Sequence, residues 1–335
     1  MKDTVFELQA DVYAYGSVVG EKEHQGPLGN LFDMHDEDDK FGQRTWEQAE
    51  SEMQRRALGI ALKKWGRDAS ALGALFAGDL LNQCVGSAYG LIDYHVPYFG
   101  LYGACSTAAL GLMLGATMVS AGQVRYAAAV TSSHNTAAER QYRTPVEYGA
   151  QRTPTAQWTV TGASAFILGK CDRTESSHAR VSQAMPGIPI EMGIRDAANM
   201  GAAMAPAAVD TLERYLAVTG KAPEDFDAIV TGDLGWEGSA IFCDLLHADG
   251  IDVDGKHTDC GAMIFSRHTQ DTHAGGSGCG CSGVVMSAYF LPKLATGEIK
   301  DMLLIGTGAM MSPDALKQGR NIPAIGHLVR LKRGM

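Results

Sequence analysis

The sequence predicts an α/β layered sandwich built from two related halves. Three observations carry that expectation. An apolar run leading into Gly-Asp-Leu occurs twice, as ALFAGDLLN at 74–82 and AIVTGDLG at 228–235. A glycine, a short polar link and an apolar run also occur twice, as AGQVRYAAAV at 121–130 and TGEIKDMLLI at 296–305. The stretch LYGACSTAALGLMLGATMVSAG at 101–122 carries no charged residue. A helix apolar on nearly every side belongs between two sheets, each buried on both faces. The repeats put one half at residues 1–169 and the other at 177–330, related by a pseudo-twofold axis.

The elements follow in order. Thr45 and Gln48 have capping-box spacing, and Trp46, Met53, Ala57, Ile60 and Ala61 then give one apolar face to about Trp65. A second helix is expected over Pro206–Val218, with Gly220 as its stop, and a shorter one over Ser239–His247. Ile264-Phe265, Val284-Val285 and Met302–Ile305 read as strands. His134–Thr161 reads as a polar loop excursion, with two Thr-Pro steps, Trp158 and the arginines Arg140, Arg143 and Arg152. It can cover a ligand site, brace a dimer or simply lie on the surface.

Composition narrows the function classes. With 38 acidic and 28 basic residues the formal charge is -10, which repels nucleic-acid backbones, and no basic stripe reverses it. The start MKDTVFELQADVYAYG has acids where a secretory signal needs an apolar core. Tyr94–Val124 is free of formal charge and long enough for a membrane span. Its glycines, Cys105, Ser106 and Thr107 favour a buried helix instead. Seven cysteines, an odd number in a chain of 335 residues, fit a reducing compartment.

Cys105 is the first candidate for chemistry. At a helix start it would meet orphan N–H groups and the positive dipole end, which stabilise a thiolate. A core thiol and a pocket wall remain open beside a nucleophile. A nucleophile also needs a base, and none of the ten histidines has a spacing that selects it. His134, His257, His273 and His327 are the candidates. Cys279-Gly280-Cys281 lacks the second ligand pair of a zinc site, and its glycine-rich surroundings are neither a phosphate loop nor a dinucleotide fingerprint. They offer approachable backbone N–H groups. Asp79 and Asp233 end matching strands, where each either caps a helix or lines a pocket. Asp79 with Asn82 is the more pocket-like pair.

At ACST, residues 104–107, the sequence resembles the thiolase and β-ketoacyl synthase superfamily, in which this cysteine is the acylated nucleophile. The resemblance spans nearly the whole chain and implies a five-layered α-β-α-β-α sandwich. In that superfamily's third class of ketoacyl synthases a histidine and an asparagine complete the site. The corresponding stretches here are IVTGDLG, offering Gly232 or Asp233, and GGSGCGCS, offering Ser277. Losing such an oxyanion donor costs about 3–4 kcal/mol.

That departure has its own match. GPLGNLFD at 26–33, AGDLLNQ at 77–83, YGACST at 102–107, TSSHNTAAERQYRTPVEYG at 131–149 and PTAQWTVTGA at 154–163 resemble the stage V sporulation protein AD family. NMGAAMAPAA at 199–208, VTGDLG at 230–235 and GGSGCGCS at 275–282 do so too. The resemblance implies a non-catalytic protein that binds dipicolinic acid and takes part in its uptake, with calcium, into the forespore. It implies no resident cofactor, a homodimer, and a place at the inner membrane beside membrane proteins of the same stage V sporulation A operon. The ligand contacts it implies are Asp79, Asn82, Cys105, Thr107, His134, Arg140, Arg143, Gly232, Asp233, Ser277, Gly278 and Cys279. Asp79 would repel a bare carboxylate, so it acts through calcium, is protonated, or braces its loop.

Overall fold

The computed structural model describes residues 4–142, 151–172 and 175–334. Five strands of the first part are β1 (Phe6–Gly20), β3 (Ala74–Gly78), β4 (Tyr98–Gly100), β5 (Tyr126–Ser133) and β7 (Gly162–Lys170). The short β2 (Met34–Asp36) pairs with β1, and β6 (Trp158–Thr159) pairs with β11 (Gly276–Ser277). The second part supplies β8 (Ala179–Met185), β9 (Ala228–Thr231), β10 (His257–Asp259), β12 (Asp301–Ala309) and β13 (Ala324–Arg333). Their order is β10-β9-β12-β13-β8-β1-β7-β5-β3-β4. Counted within each half, both read third, second, fourth, fifth, first. The fifth strand runs antiparallel to the fourth in each half, while the second, third and fourth are parallel. The repeated sequence motifs therefore occupy equivalent strands, β3 with β9 and β5 with β12. One feature departs from two separate sheets: β1 pairs antiparallel with β8, so the half-sheets are hydrogen-bonded edge to edge.

The helices are α1 (Glu21–His24), α2 (Trp46–Trp65), α3 (Val85–Leu91), α4 (Thr107–Ser120), α5 (Asn135–Tyr142) and α6 (Met200–Thr219). They continue with α7 (Gly235–Ala248), α8 (Cys260–Ile264), α9 (Cys279–Val285), α10 (Leu291–Thr296) and α11 (Pro313–Lys317). Three buried clusters mark three helical layers around the sheet. In the middle one, Leu112, Met113 and Ala116 of α4 meet Phe166 and Leu168 of one half and Leu304 and Val329 of the other. Met53, Ala57 and Leu58 of α2 cover the outer face of the first half against Leu75 and Ile167. Leu212 and Tyr215 of α6 and Phe242 of α7 cover the second against Leu303, Ile305 and Leu328. Leu303, Leu304 and Ile305 thus alternate between layers, as the two-residue period of a doubly covered strand requires. Each such side chain, fully buried, stabilises the fold by roughly 1.5–3 kcal/mol. The central helix also needs close approach: a Cβ on Gly306 of β12 would lie 2.6 Å from Ala109 Cβ.

Thr45 caps α2 as its spacing implies, accepting from Gln48 N at 3.2 Å while Gln48 Oε1 accepts from Thr45 N at 3.3 Å. Gly66 and Gly220 end α2 and α6 in the left-handed conformation. The second helix starts earlier than expected, at Met200, because Asn199 caps it and the apolar face continues back through Met204. Ile264 and Val284-Val285 are helical rather than extended, in α8 and α9. A short apolar run buried on all sides has no face to reveal its period. The polar excursion is partly helical: His134 precedes α5, and Trp158-Thr159 form β6. Residues 143–150, including Arg143 and Glu147, lie outside the described residues. No helix among the described residues is long and apolar enough to cross a membrane.

Candidate functional site

Cys105 stands at the floor of a cavity of about 990 Å³. The turn that presents it is tight. Ala104 takes φ +48°, which costs a non-glycine residue about 1–3 kcal/mol. Ser106 Oγ donates to Gly103 O at 2.6 Å, and Thr107 Oγ1 donates to Ala104 O at 2.7 Å, before α4 begins. Thr107 thereby braces the turn and is not part of the cavity wall.

Asp233 faces Cys105 from the end of β9, at the position the resemblance assigns to a histidine. Its carboxylate accepts from Thr307 Oγ1 at 2.7 Å and from Gly278 N at 2.8 Å, and its charge acts on the Cys105 thiol. Burial pushes Asp233 up to about 7, although these bonds favour its anion. Burial, and then the Asp233 charge, hold the Cys105 thiol well above its ordinary value. The helix-start expectation of a stabilised thiolate is overturned, because burial of the sulfur, and then the carboxylate beside it, outweigh a helix dipole. A side chain at Gly232 would be crowded. A Cβ there would sit 3.0 Å from Thr307 N and 3.3 Å from Gly306 Cα. Gly278 has φ +104°, and a Cβ on it would lie 2.6 Å from Ser133 Oγ. Ser277 lines the cavity at the asparagine position. Cys279 is buried and donates its thiol to Ser132 O at 2.8 Å.

Asp79 and Asn82 also line the cavity, in the loop after β3. Asp79 Oδ1 accepts from Leu81 N at 2.8 Å, and Oδ2 accepts from Ser87 N at 2.7 Å and Ser87 Oγ at 2.6 Å. It braces the loop and satisfies an N–H of the first turn of α3. Burial raises its pKa.

Three other candidates lie elsewhere. His134 packs against Trp46, its Nε2 donates to Asp39 O at 2.8 Å, and its Nδ1 accepts from Ala137 N at 3.4 Å. It is the N-terminal cap of α5 and not a base for Cys105. Arg140 is paired with Glu47 on the surface. Arg152 bonds Asp271 and lies over the Trp158 ring. The other three histidine candidates are also engaged elsewhere: His257 with Thr231 and Cys243, His327 with Gly187 N, and His273 with Thr153 O.

The sequence reading missed one wall of the cavity. Ala138, Glu139 and Tyr142 enter it from α5, and Tyr102 from the turn before Cys105. Burial pushes the Tyr142 hydroxyl up to about 12, with Cys105, Cys279 and Asp79 adding to it. The i, i+4 spacing of Ala138 and Tyr142 was the available signal, hidden by the Thr-Pro steps that follow. From the second half come Met200, Met310, Met311 and Asp314. The lining side chains among the described residues include three carboxylates, Asp79, Glu139 and Asp314, and no lysine, arginine or histidine.

Comparison with known proteins gives the family and the fold. Residues 1–332 match the family described as stage V sporulation protein AD. Stage V sporulation protein AD of Bacillus subtilis (strain 168) is 39% identical over 329 residues, covering 98% of this chain and 96% of that protein. Among solved structures, cerulenin-bound OleA of Xanthomonas campestris aligns with a TM-score of 0.59 at 17% identity, covering 96% of this chain and 97% of that one. The 3-oxoacyl-(acyl carrier protein) synthase III of Xanthomonas oryzae pv. oryzae aligns with a TM-score of 0.59 at 16% identity, covering 97% and 100%. At these identities the structural likeness shows the thiolase-like fold alone.

Proposed function

The chain belongs to the stage V sporulation protein AD family of sporulation proteins, and from that premise we propose that it binds dipicolinic acid without turnover. In this reading it takes part in dipicolinate uptake into the forespore, at the inner membrane beside membrane proteins of the same system. The carrying observation is the Cys105–Asp233 contact. Burial, and then the charge of the group that stands where a synthase would place its histidine, hold the sulfur as a neutral thiol. Tyr102, Tyr142, Met310 and Met311 offer apolar walls to a planar ring, and Ser277 offers a hydroxyl. Three wall carboxylates disfavour a bare dianion and favour its calcium chelate, so calcium arrives as cargo. Calorimetric titration with dipicolinate is the test. Binding is expected to be tighter with calcium than without. No heat and no competition in either condition would defeat the reading.

One observation favours a second reading. A carboxyl near 7 beside a thiol is poised as a general base for acyl transfer. Incubation with acyl-CoA separates the two. Stoichiometric mass gain on Cys105, lost in Cys105→Ala, would replace binding by acyl transfer.

We also propose a homodimer through β4. That strand ends the sheet order, and Tyr98 and Phe99 on it are exposed, as are Tyr89 and Ile92 nearby. An unpaired edge with aromatic residues invites a second strand. Sedimentation should give a dimer that Phe99→Asp converts to monomer; a monomeric wild type removes the proposal.

A further inference from the structure

Behind Asp79 the cavity wall holds a second buried acid. Glu50, on α2, is fully buried, and its Oε1 accepts one hydrogen bond, at 2.8 Å from Ser132 Oγ. Gln54 lies one turn on. Its Nε2 donates to Ser132 Oγ at 2.7 Å and to Ser87 Oγ at 2.8 Å. Ser87 Oγ donates in turn to Asp79 Oδ2 at 2.6 Å. An amide nitrogen only donates, so each hydroxyl accepts from it and passes its own proton to a carboxyl. One glutamine thus orients both serines and feeds both acids.

The two acids are fed unequally. Asp79 takes three donors, Leu81 N, Ser87 N and Ser87 Oγ, whereas Glu50 takes one. Glu50 Oε2 and Gln54 Oε1 are both buried without a partner among the described residues. They are side chains at i and i+4, neighbours on one helix face. Two orphan acceptors on one helix face lack a donor. A proton on Oε2 turns one of them into a donor for the other.

We propose that Glu50 is protonated, donates from Oε2 to Gln54 Oε1, and acts as a positioning residue that confines the pair's single negative charge to Asp79. This rests on the cavity being the ligand site and specifies how its charge is regulated. The titratable groups around Glu50 are Glu47 on its own helix, Asp79 after β3, Cys84 before α3 and Cys279 on α9. Burial first, then the Asp79 charge, raises Glu50 well above the ordinary carboxylate range. A raised folded-state value means that stability is full below the ordinary carboxylate pKa and is lost as pH rises through the raised one. Loss of the proton also puts a second negative charge behind Asp79, and anionic ligands then bind less tightly.

The test uses the full chain and Glu50→Gln, which keeps the shape and cannot ionise. Infrared spectra of protein with labelled glutamate should show a protonated-carboxyl band at neutral pH that is larger in wild type than in E50Q. The difference is the readout because Glu23, pushed up to about 8 by burial, contributes its own band. The melting temperature of E50Q should rise relative to wild type as pH increases. Ser132→Ala, which removes the single donor to Glu50, should keep the band to higher pH. Calorimetry with calcium and dipicolinate should show affinity falling with pH in wild type and flatter in E50Q. Equal bands in wild type and E50Q, or a melting difference that is constant with pH, overturns the proposal. Absence of dipicolinate heat in both proteins instead removes the ligand reading, while the band and the melting difference still decide Glu50.

Discussion

Gly78-Asp79-Leu80 and Gly232-Asp233-Leu234 are the same three residues at the end of the second strand of each half, yet they are used differently. Asp79 turns to its own loop and takes Leu81 N and Ser87 N. Asp233 turns across the molecule to Thr307, Gly278 and Cys105. The difference arises one strand away. Ala77 pairs with Gly100 in the first half, and the equivalent Thr231 pairs with Asp259 in the second. Asp259 accepts from Leu234 N at 2.8 Å, Gly235 N at 2.9 Å and Thr231 Oγ1 at 2.7 Å. With the loop donors satisfied by Asp259, Asp233 is free to face the sulfur. Glycine at 100 leaves no such substitute, so Asp79 must serve its own loop. A duplicated motif keeps its backbone position, and its role follows from which neighbour satisfies the local N–H groups.

The comparison can be broken most strongly at Asp233. Asp233→Ala leaves the Gly278 N–H and the Thr307 hydroxyl without their acceptor and should cost about 2–4 kcal/mol in urea denaturation. The Cys105 thiol should also alkylate faster, because the charge that raises its pKa is gone. Unchanged stability and reactivity would deny Asp233 its bridging role. Asp79→Ala removes a loop and helix cap and should cost about 1–2 kcal/mol, with no change in Cys105 alkylation. Faster alkylation there would mean that the two aspartates share one function. The smallest effect is expected for Asp233→Asn, which keeps the shape. Asp233 is raised from 3.8 to about 7, so its contribution is full below 3.8 and is lost as pH rises to about 7. The variant's melting temperature should therefore vary less than that of wild type over that window, and parallel pH profiles would contradict the assignment.

Much of this arrangement was legible in the chain. The capping box at Thr45, the glycine stops at 66 and 220 and the paired strand motifs act through neighbours in sequence or through burial on both faces, so local pattern reports them. Asn82, Cys105 and Ser277 were identified from position within motifs, and all three line the cavity. His134 shows the limit. A histidine after a strand end reads equally as a base or as a helix cap, and only the Asp39 carbonyl and the Ala137 N–H distinguish them. Val284-Val285 shows another, since an apolar pair enclosed on every side carries no period.

Sequence by itself determined the duplicated α/β core, the charge-free central helix and the lack of a histidine in IVTGDLG and of an asparagine in GGSGCGCS. Tertiary structure decided which of Gly232 and Asp233 meets Cys105, and that the thiol is held neutral. It also decided that Glu50, silent in the sequence, stands behind the cavity wall. The physical reason is that ionisation depends on desolvation and on partners such as Thr307 and Gly278, which lie far from Asp233 along the chain and meet it only when the halves close around α4.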